Sequence, residues 1–413
     1  MPKFYIETVG CQMNVLDSEL AGAALIRSGM EPADSITDAD VILFNTCSVR
    51  QHAEDKVYSA LGRLKQWKEQ KPVSVLGIIG CMAQKDQKLI FQRVPYADLV
   101  LGPGQLDVLA ETVRQLFDAK SGGRKPSVLQ RVCVSLPRNA GKHHEVIESF
   151  RLYNPERMIR GGLMPAAAGS PSLVRIMFGC NQFCSYCIVP YVRGPEQSRP
   201  PQDILNEVKL LADGGAAKIT FIGQTVNSYC YNNNGKITKL ADLLYLASET
   251  AGVQQIDFVT NYPLGIDDRL LQAVRDLPKV VKHFHVPAQS GSDTVLQRMN
   301  RHYTSARYRE MTDQIYETVP GATMTSDFIV GFCGETDAEF EQTVDLVKYC
   351  RFRNSFIFKY SGRKGTKSAE LYADDVPEEV KKHRNNRLLE VQIGISRRGA
   401  HVAKHGQSES DAV

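Results

Sequence analysis

The amino-acid sequence predicts an α/β protein made of two successive assemblies of βα units, an N-terminal open parallel sheet and a partial (β/α)6 barrel. This fold is predicted by two stretches in which β-rich apolar runs alternate with helical patterns. The first stretch ends near residue 117 and the second begins near residue 172. A stretch rich in Gly, Pro and charge separates the two. A length of 413 residues, 43% of them hydrophobic, is enough for two cores.

The predicted domain boundaries follow from these changes of pattern. Residues 1–120 form the open-sheet domain, 121–170 a linker, 171–375 the barrel, and 376–413 a basic helix with a polar tail. The N-terminus lacks a basic region followed by an apolar stretch, and no run approaches the roughly 20 apolar residues of a membrane span. We therefore expect a soluble, cytoplasmic protein without a membrane partner. The net charge of +4 permits a nucleic-acid partner without requiring one.

Three strand candidates of the first domain each end directly on a cysteine. They are KFYIETVG before Cys11, DVILFNT before Cys47 and VSVLGIIG before Cys81, and a helical pattern follows each cysteine. Since the carboxyl ends of parallel strands meet at one edge of a sheet, the three thiols are predicted to converge there. Free cysteines are often merely buried. Three at equivalent positions in successive units favour a shared ligand set.

Six further strand candidates predict the barrel, with helical patterns between them. They are SLVRIMFG, AKITFIG, QQIDFVT, VVKHFHVP, TMTSDFIVGF and SFIFKYS. Six units match an open form of the eight-unit barrel, whose active sites lie at the C-terminal ends of the strands. Cys180, Cys184 and Cys187 directly follow the first of these strands, so the sequence predicts a site of three thiols at the barrel mouth.

Ten cysteines without a secretion signal indicate metal or redox chemistry rather than a disulfide framework. A structural zinc needs four closed ligands, and the cluster at 180–187 supplies only three. Iron–sulfur clusters bind one thiolate per iron, so three thiolates leave one iron of a four-iron cluster open. The zinc alternative requires a fourth ligand from Cys230, His283 or His285. The two histidines alternate on a strand and are expected to be packed or hydrogen-bonded. Cys133, in the linker, is assigned no role.

The sequence CNQFCSYC resembles the signature of the radical S-adenosylmethionine enzymes, including the tyrosine before the third cysteine. Seven ordered motifs extend the resemblance over nearly the whole chain, to the methylthiotransferases. They are TVGCQMNVLDSE, NTCSVRQHAEDK, IIGCMAQ, CSYCIVPYVRGPEQSRP, GQTVNSY, PAQSGSDTVLQRMNRHYT and SDFIVGFCGET. Within that family the chain is most similar to the tRNA enzymes that modify isopentenyladenosine next to the anticodon.

The resemblance implies two 4Fe-4S clusters and S-adenosylmethionine as cofactors. One cluster would be bound by Cys180, Cys184 and Cys187 and an auxiliary one by the three N-terminal thiols, Cys11, Cys47 and Cys81. S-adenosylmethionine would methylate sulfur held at the auxiliary cluster, and a second molecule would give the radical that removes hydrogen from carbon 2 of the adenine. The implied partners are the anticodon stem-loop of tRNA, an electron donor and a sulfur donor, and the expected state is a monomer.

Contacts to S-adenosylmethionine are expected near the ends of the barrel strands. The candidates are Tyr186, Gln224, Asn227, Gln289, Ser290, Asp327 and Gly331. A glycine after a strand equally serves a turn, and the tyrosine equally plugs the barrel mouth. Arg193 and Arg199, just after the cluster loop, are expected to lie solvated at the surface, and binding to a cofactor carboxylate or an RNA phosphate is the alternative.

The chain departs from the family at its end and at one loop. The relatives usually finish with a β-rich TRAM-type domain, and nothing after residue 400 resembles one. Either the chain is truncated, or RNA is held by the barrel, the first domain and the basic last helix. Cys333 replaces a common proline and is interpreted as a packing substitution.

Two other functions stay open at this point. The nearest is methylthiolation of threonylcarbamoyl-adenosine in tRNA or of an aspartate of a ribosomal protein. The motifs GCQMN and NTCSVRQHAEDK favour the isopentenyladenosine enzymes over both. The second is a non-catalytic iron–sulfur protein that binds RNA. Such a protein has no need of two intact sets of three thiols.

Overall fold

The structure is a computed structural model that describes residues 1–48, 51–123, 132–133 and 170–397. Most of the predicted linker over 121–170 and the polar tail beyond residue 397 lie outside the described residues. Within the described part of the chain, no helix is both long and apolar enough to cross a membrane. The nine cysteines whose side chains are described are all free thiols.

The first domain contains one sheet of six parallel strands. They are β1 Lys3–Val9, β2 Glu31–Pro32, β3 Val41–Thr46, β4 Val75–Gly80, β5 Leu99–Leu101 and β6 Val132–Cys133. Their order in the sheet is β2-β1-β3-β4-β5-β6. The three predicted strands are confirmed as β1, β3 and β4. The other three were not predicted, because two or three residues are too few to show a period of two.

Helices cover both faces of this sheet. They are α1 Gln12–Arg27, α2 Gln51–Arg63, α3 Lys65–Gln70, α4 Cys81–Asp86, α5 Leu89–Arg93 and α6 Leu109–Ser121, the last preceded by a 3-10 turn over Leu106–Val108. Helices α1 and α6 pack on one face, and α2, α4 and α5 pack on the other. Every residue of β3 and β4 is buried, as expected for central strands of a parallel sheet with both faces covered.

The second domain contains the predicted barrel of six units. Its strands are β7 Ser172–Arg175, β8 Met177–Phe178, β9 Gln197–Ser198, β10 Lys218–Ile222, β11 Cys230–Asn233, β12 Lys236–Lys239, β13 Gln255–Phe258, β14 His283–His285, β15 Thr323–Val330 and β16 Asn354–Lys359. Strands β7, β10 and β13 pair in parallel, as do β14, β15 and β16. A parallel bridge from Ile256 to Val280 connects the two groups into one open barrel.

Nine helices of the described residues belong to this domain. They are α7 Val189–Val192, α8 Pro201–Asp213, α9 Leu240–Ser248, α10 Asp268–Asp276, α11 Asp293–Arg298, α12 Ser305–Thr318, α13 Asp337–Cys350, α14 Lys367–Leu371 and α15 Glu378–Arg397, with 3-10 turns over Val226–Ser228 and Pro263–Gly265. The side chains of Asp267, Thr304 and Thr336 accept backbone hydrogen bonds and so define the starts of α10, α12 and α13. One exposed antiparallel hairpin, β11 with β12, was not predicted.

The predicted basic helix after the barrel is confirmed as α15, which packs against β16 and α13. Its basic residues divide between two environments. Lys381 and Arg384 are buried, and Arg384 pairs with Glu335 at 3.0 Å and Asp337 at 2.7 Å. Lys382 and Arg387 are exposed. Only part of the basic sequence of this helix therefore faces solvent.

Helix α1 connects the two domains. Leu173 of β7 and Ile222 of β10 share one apolar cluster with Leu16 and Leu20 of α1. Asp17, on the same helix, forms ion pairs with two arginines of the barrel domain, Arg175 and Arg193. The carboxyl edge of the first sheet is thereby held against the barrel mouth.

Candidate metal centres at the barrel mouth

The three N-terminal thiols follow three adjacent strands. Cys11 comes after β1, Cys47 after β3 and Cys81 after β4, and these strands are neighbours in the sheet. The amide of Cys47 donates to the carbonyl of Val9 at 3.0 Å, which extends the β1–β3 pairing to the cysteine. The side chains of Cys11 and Cys47 share a hydrogen bond. The structure thus brings the strand-end thiols to one edge of the sheet.

A buried pair of amides fixes the spacing between the first two thiols. Asn14 donates to the side-chain oxygen of Asn45 at 2.9 Å, and Asn45 donates to the backbone oxygen of Asn14 at 2.8 Å. Both side chains are fully buried. The same Asn14 side chain accepts from the backbone amide of Cys11 at 3.3 Å. These contacts tie the start of α1 to the end of β3, and apart from the residue types no sequence pattern indicates them.

A glycine leads the chain into the third thiol. Gly80 has a φ of +90°, and a Cβ at that position would meet the side chain of Asn45 and the backbone of Thr46. Only glycine fits both the left-handed conformation and the close approach. Cys81 then begins α4 with its thiol 4% exposed.

The pKa values of two of these thiols are shifted in opposite directions. The hydrogen bond from Cys47 lowers the pKa of Cys11 to about 5, against the opposing effect of desolvation by the neighbouring protein. Burial raises the pKa of Cys81, although the nearby guanidinium of Arg193 acts in the opposite direction. The Nε of Arg193 lies 3.2 Å from the Sγ of Cys81 and donates to it. A positive charge is therefore already placed beside this set of thiols.

The second set of thiols lies in a loop that is closed at its base. Strand β8 pairs with β9 on the far side of the loop, and the amide of Cys180 donates to the carbonyl of Gly194 at 3.2 Å. Gly179, before Cys180, has a φ of +73°, and a Cβ there would overlap the carbonyl of Pro195. Within the loop the amide of Cys187 donates to the carbonyl of Cys184 at 3.0 Å.

Burial raises the pKa values of two thiols in this loop. It raises the pKa of Cys180, and together with the charge of Cys184 it raises the pKa of Cys187 to about 12. Arg301 donates from Nη1 to the Sγ of Cys184 at 3.3 Å. Its guanidinium also lies over the ring of Tyr262 at 4.7 Å. Each set of three thiols therefore has one buried arginine that donates to a sulfur.

The two sets of thiols face each other. Cys81 packs against Ile188 and Val192, which follow Cys187 in the chain. Arg363, from the loop after β16, donates to the carbonyl of Ser48, the residue after Cys47. Residues of the barrel loops therefore lie directly against the edge of the first sheet that carries the N-terminal thiols.

The predicted contacts to S-adenosylmethionine differ in how far the described protein engages them. Gln224 follows β10, and its buried Oε1 has no hydrogen-bond partner among the described residues. Asp327 lies on β15 with its carboxylate 3.5 Å from the Nε2 of His285. Tyr186 packs beside Val295 and the other members of a small apolar cluster. Gln289 has a φ of +69°, an uncommon left-handed conformation for a residue other than glycine, and forms a parallel bridge with Phe328.

The other three predicted contacts are engaged inside the protein. Asn227 makes two hydrogen bonds of 2.8 Å to the backbone of Tyr262. Ser290 is 1% exposed and its hydroxyl accepts from the amide of Ser292 at 3.2 Å. Gly331 has a φ of +69°, and a Cβ there would meet the side chain of Lys381 on α15. These residues hold the loops at the barrel mouth in place.

Other predictions from the sequence are corrected or confirmed. The solvated position expected for Arg193 and Arg199 is wrong, since both are buried, and Arg199 pairs with Glu207 at 2.7 Å inside the barrel. His283 is hydrogen-bonded to threonines of β15, as expected for a residue at the edge of the core. Cys333, 3% exposed, packs in the apolar cluster that includes Phe332.

Two polar residues of this region were missed. Asn261 follows β13, is 2% exposed, and its Oδ1 has no hydrogen-bond partner among the described residues. Arg301 stands 117 positions from the cysteine to which it donates. A sequence pattern of period two or 3.6 carries no sign of such distant partners, and only the position of Arg301 inside the motif MNRHYT pointed to it.

The residues present fit iron–sulfur clusters better than a single ion. Among the described residues, no group of three His, Cys, Asp or Glu side chains is placed to hold one metal ion. A zinc ion needs all its donors near one point, whereas a four-iron cluster takes each thiolate on a different iron. Buried polar atoms without a partner in the described chain, Ser48 Oγ, Gln84 Oε1 and Arg193 Nη1, lie beside the N-terminal thiols. A polar group bound there would satisfy them.

The fold and the site together define a radical S-adenosylmethionine protein, since a partial six-unit barrel carries three thiols in the loop after its first strand. Residues 174–347 match the model of the Radical SAM superfamily, and residues 3–102 match the family described as UPF0004. The chain belongs to the family of tRNA-2-methylthio-N(6)-dimethylallyladenosine synthases. The resemblance stated from the sequence motifs is thereby confirmed.

Three relatives of that name carry this assignment. The synthase of Rhodopirellula baltica (strain DSM 10527 / NCIMB 13988 / SH1) is 49% identical over 395 residues, which cover 95% of this chain and 80% of the relative. The synthase of Neisseria meningitidis serogroup C (strain 053442) is 42% identical, covering 95% and 83%. That of Syntrophotalea carbinolica (strain DSM 2380 / NBRC 103641 / GraBd1) is 41% identical, covering 96% and 85%.

Solved structures support the fold. The radical S-adenosylmethionine methyltransferase TsrM of Kitasatospora setae, with cobalamin and a [4Fe-4S] cluster bound, is 12% identical at a TM-score of 0.60, over 89% of this chain and 74% of that one. The cobalamin-dependent radical enzyme OxsB is 11% identical at a TM-score of 0.56, over 96% and 56%. At these identities the likeness concerns the fold alone.

Proposed function

We propose that the protein methylthiolates tRNA, placing sulfur and a methyl group on carbon 2 of isopentenyladenosine, also named dimethylallyladenosine, next to the anticodon. The observation that carries this proposal is the identity of 41 to 49% with synthases of that name over 95% or more of the chain. The retention of both sets of three thiols supports it, because a non-catalytic RNA-binding protein has no use for two open clusters.

In this proposal each set of thiols binds one 4Fe-4S cluster. Cys180, Cys184 and Cys187 would hold the cluster that binds S-adenosylmethionine, and the three strand-end thiols of the first sheet would hold the auxiliary cluster. When bound, the clusters and S-adenosylmethionine supply the electron transfer, radical chemistry and sulfur carriage that side chains cannot perform.

In this proposal the protein's own side chains bind and orient the cofactors and shield them from water. Cys180 and Cys184, at 8% and 9% exposed, are themselves shielded from water. Gln224 and Asp327 are the predicted contacts that we propose for S-adenosylmethionine, because the Oε1 of Gln224 has no partner among the described residues and the side chain of Asp327 is partly exposed. Tyr186, packed in the apolar cluster with Val295, stays a predicted contact. We add Asn261 to these contacts, because its buried Oδ1 lies after the neighbouring strand without a partner among the described residues.

The remaining partners follow from the reaction. The substrate is tRNA, and we propose that the anticodon stem-loop reaches the space where the two sets of thiols face each other. The reaction also requires a low-potential electron donor and a sulfur donor. We propose that the protein acts as a monomer, in the cytoplasm where tRNA is found.

Nucleoside analysis tests the proposed substrate. The chain would be expressed in a bacterial strain that lacks its own synthase, and digested tRNA would be analysed by mass spectrometry. We expect methylthio-isopentenyladenosine with the unchanged chain and with Cys230→Ala, an exposed cysteine outside both sets, but not with Cys81→Ala. Methylthiolated threonylcarbamoyl-adenosine, or a modified ribosomal aspartate, in place of that product would show that the substrate is a different one.

Iron content tests the proposed cofactors separately from the substrate. After anaerobic reconstitution we expect about eight irons per chain, and about four when Cys11, Cys47 or Cys81 is replaced by alanine. Four irons in the unchanged chain, with no loss in those variants, would mean that the strand-end thiols are structural. The protein would then be a radical enzyme without an auxiliary cluster.

A further inference from the structure

Two buried arginines donate hydrogen bonds to sulfur, one in each set of thiols. The Nε of Arg193 lies 3.2 Å from the Sγ of Cys81, and the Nη1 of Arg301 lies 3.3 Å from the Sγ of Cys184. The two arginines are 2% and 9% exposed. Arginine stays protonated inside proteins, so both sites carry a permanent positive charge.

The surroundings of the two charges differ. Arg193 donates to the carboxylate of Asp17 at 2.8 Å, and Asp17 is also paired with Arg175. Part of its charge is thereby neutralised at short range. Asp17 is 1% exposed, so solvent does not screen that pair.

Arg301 has no such counter-charge among its known contacts. In the described part of the chain, its guanidinium contacts the hydroxyl of Tyr303 at 2.9 Å, the carbonyl of Pro287 at 3.0 Å, and the rings of Tyr262 and Tyr303. None of these groups is a carboxylate. The charge of Arg301 therefore acts on the sulfur of Cys184 with little local compensation.

Reduction of an iron–sulfur cluster adds one negative charge to it. A donor to a ligating sulfur and a nearby positive charge both stabilise the reduced form, and buried sites transmit this effect with little screening. We propose that Arg301 and Arg193 set the reduction potentials of the two clusters separately, and that Arg301 raises the potential of its cluster more than Arg193 does. This inference rests on the proposed function, since it requires a cluster at each set of thiols.

This difference in potential would favour one of the two clusters as the acceptor of the incoming electron. The contributions of the two arginines therefore favour placing a single electron from a low-potential donor on the cluster beside Arg301, where S-adenosylmethionine would be cleaved, over the cluster that would carry sulfur. Both arginines act through the cluster ligands and not on the substrate, so they are positioning residues.

Redox titrations monitored by electron paramagnetic resonance test this inference without any measurement of activity. Cys→Ala triple variants, each retaining one set of thiols, would identify the signal of each cluster in the full chain. For Arg301→Gln we expect the ratio of reduced to oxidised barrel cluster to fall about tenfold at a fixed potential, equivalent to about 59 mV for a one-electron couple. The auxiliary cluster should not change. For Arg193→Gln we expect a smaller fall, confined to the auxiliary cluster.

The glutamine variant at one cluster is the control for the other cluster, because it should leave the potential of that other cluster unchanged. Arg301→Lys and Arg193→Lys keep the charge, and we expect each to show less than half of the shift of the glutamine variant. Should a glutamine variant fail to bind iron, the lysine variant replaces it, and a shift as large as tenfold there would overturn the proposal. Unchanged potentials, or equal shifts at both clusters, in variants that retain about eight irons would also overturn it. Absence of iron from the unchanged chain would instead count against the proposed function.

Discussion

At the scale of single residues, Cys11 differs from the other thiols in its reactivity. Its side chain is exposed, and the hydrogen bond from Cys47 lowers its pKa to about 5. In iron-free protein we therefore expect Cys11 to react with iodoacetamide at a constant rate above about pH 6 and more slowly as the pH falls through 5, since the thiolate is the reacting form. Cys187, with a pKa of about 12, should react slowly throughout. Mass spectrometry of peptides after timed labelling measures both.

The matched variant for this prediction is Cys47→Ala, which removes the donor. The pH at which the labelling rate of Cys11 levels off should then move upward, while exposed Cys230 keeps its own profile. A rate for Cys11 that climbs about tenfold per pH unit between pH 6 and 8 in the unchanged chain would identify an ordinary thiol and contradict the expected effect.

Residue types and spacing predicted that three thiols follow neighbouring strands, but not what surrounds those thiols. Cys11, Cys47 and Cys81 were placed correctly because each directly follows a strand, and strand ends are visible as the end of an apolar run. The donors Arg193 and Arg301 come from positions 112 and 117 residues away from their sulfur partners. Hydrogen bonds at that separation are created by tertiary packing and leave no local period in the sequence.

At the scale of elements, the loop from β8 to β9 depends on one glycine. Gly179→Ala would combine a left-handed φ of +73° with an overlap of the new Cβ and the Pro195 carbonyl. We expect this variant to lose the barrel cluster and to retain about four irons of the auxiliary one. Gly215→Ala is the control, because Gly215 also has a positive φ, +93°, but has nothing within 4 Å of the added Cβ.

The control should lose about 1–2 kcal/mol of unfolding free energy from backbone strain and keep its iron. Iron analysis together with urea unfolding separates the two variants. Equal loss of iron from both would mean that backbone strain in the barrel, and not the close contact of Gly179 with Pro195, causes the loss.

The contact between α1 and β3 depends on the hydrogen-bonded side chains of Asn14 and Asn45. Asn45→Ala removes one acceptor and two donated hydrogen bonds at a fully buried position. It leaves the amide of Asn14 without its partner. We expect a loss of roughly 1–3 kcal/mol of unfolding free energy, measured by urea titration, together with slower loading of iron at the strand-end thiols. Asn206→Ala, on the exposed side of α8, should change stability by less than about 0.5 kcal/mol. Equal stability of Asn45→Ala and Asn206→Ala would contradict the bracing role.

Elements were predicted where a period extends over enough residues. The six barrel strands and the three central strands of the first sheet are all present, because each combines β-branched or aromatic residues with a clear end. The pairs β8 with β9 and β11 with β12 have only two and four residues per strand. Their pairing is decided by the loops they close, and the first of these loops is the one that holds Cys180.

At the scale of the whole molecule, the position of the two domains determines whether the two sets of thiols face each other. The sequence predicts one set at a sheet edge and the other at a barrel mouth, but it contains no information on how the edge meets the mouth. The structure supplies this through α1, whose apolar residues join those of β7 and β10 and whose Asp17 pairs with Arg175 and Arg193. Chemistry that needs both clusters on one substrate depends on this contact.

Removal of the charge of Asp17 tests that dependence. Burial alone would raise the pKa of Asp17, but the guanidinium groups of Arg175 and Arg193 hold it below its ordinary value. Asp17→Asn leaves both arginines buried without their counter-charge, and we expect a loss of about 3–5 kcal/mol of unfolding free energy at neutral pH. Glu111→Ala, which breaks an exposed pair with Arg114, should cost less than about 1 kcal/mol.

The pH dependence of this loss has a definite sign. A carboxylate whose folded-state pKa is lowered stabilises the protein above its unfolded pKa, and the stabilisation disappears as the pH falls through the folded value. The difference between the unchanged chain and Asp17→Asn should therefore be constant near neutral pH and shrink in acid, as measured by urea unfolding over a pH series. Hydrogen exchange should increase in α1 and β7 together if the contact between the domains opens. Increased exchange in α1 alone would indicate that Asp17 stabilises its own domain and that other contacts hold the two sets of thiols face to face.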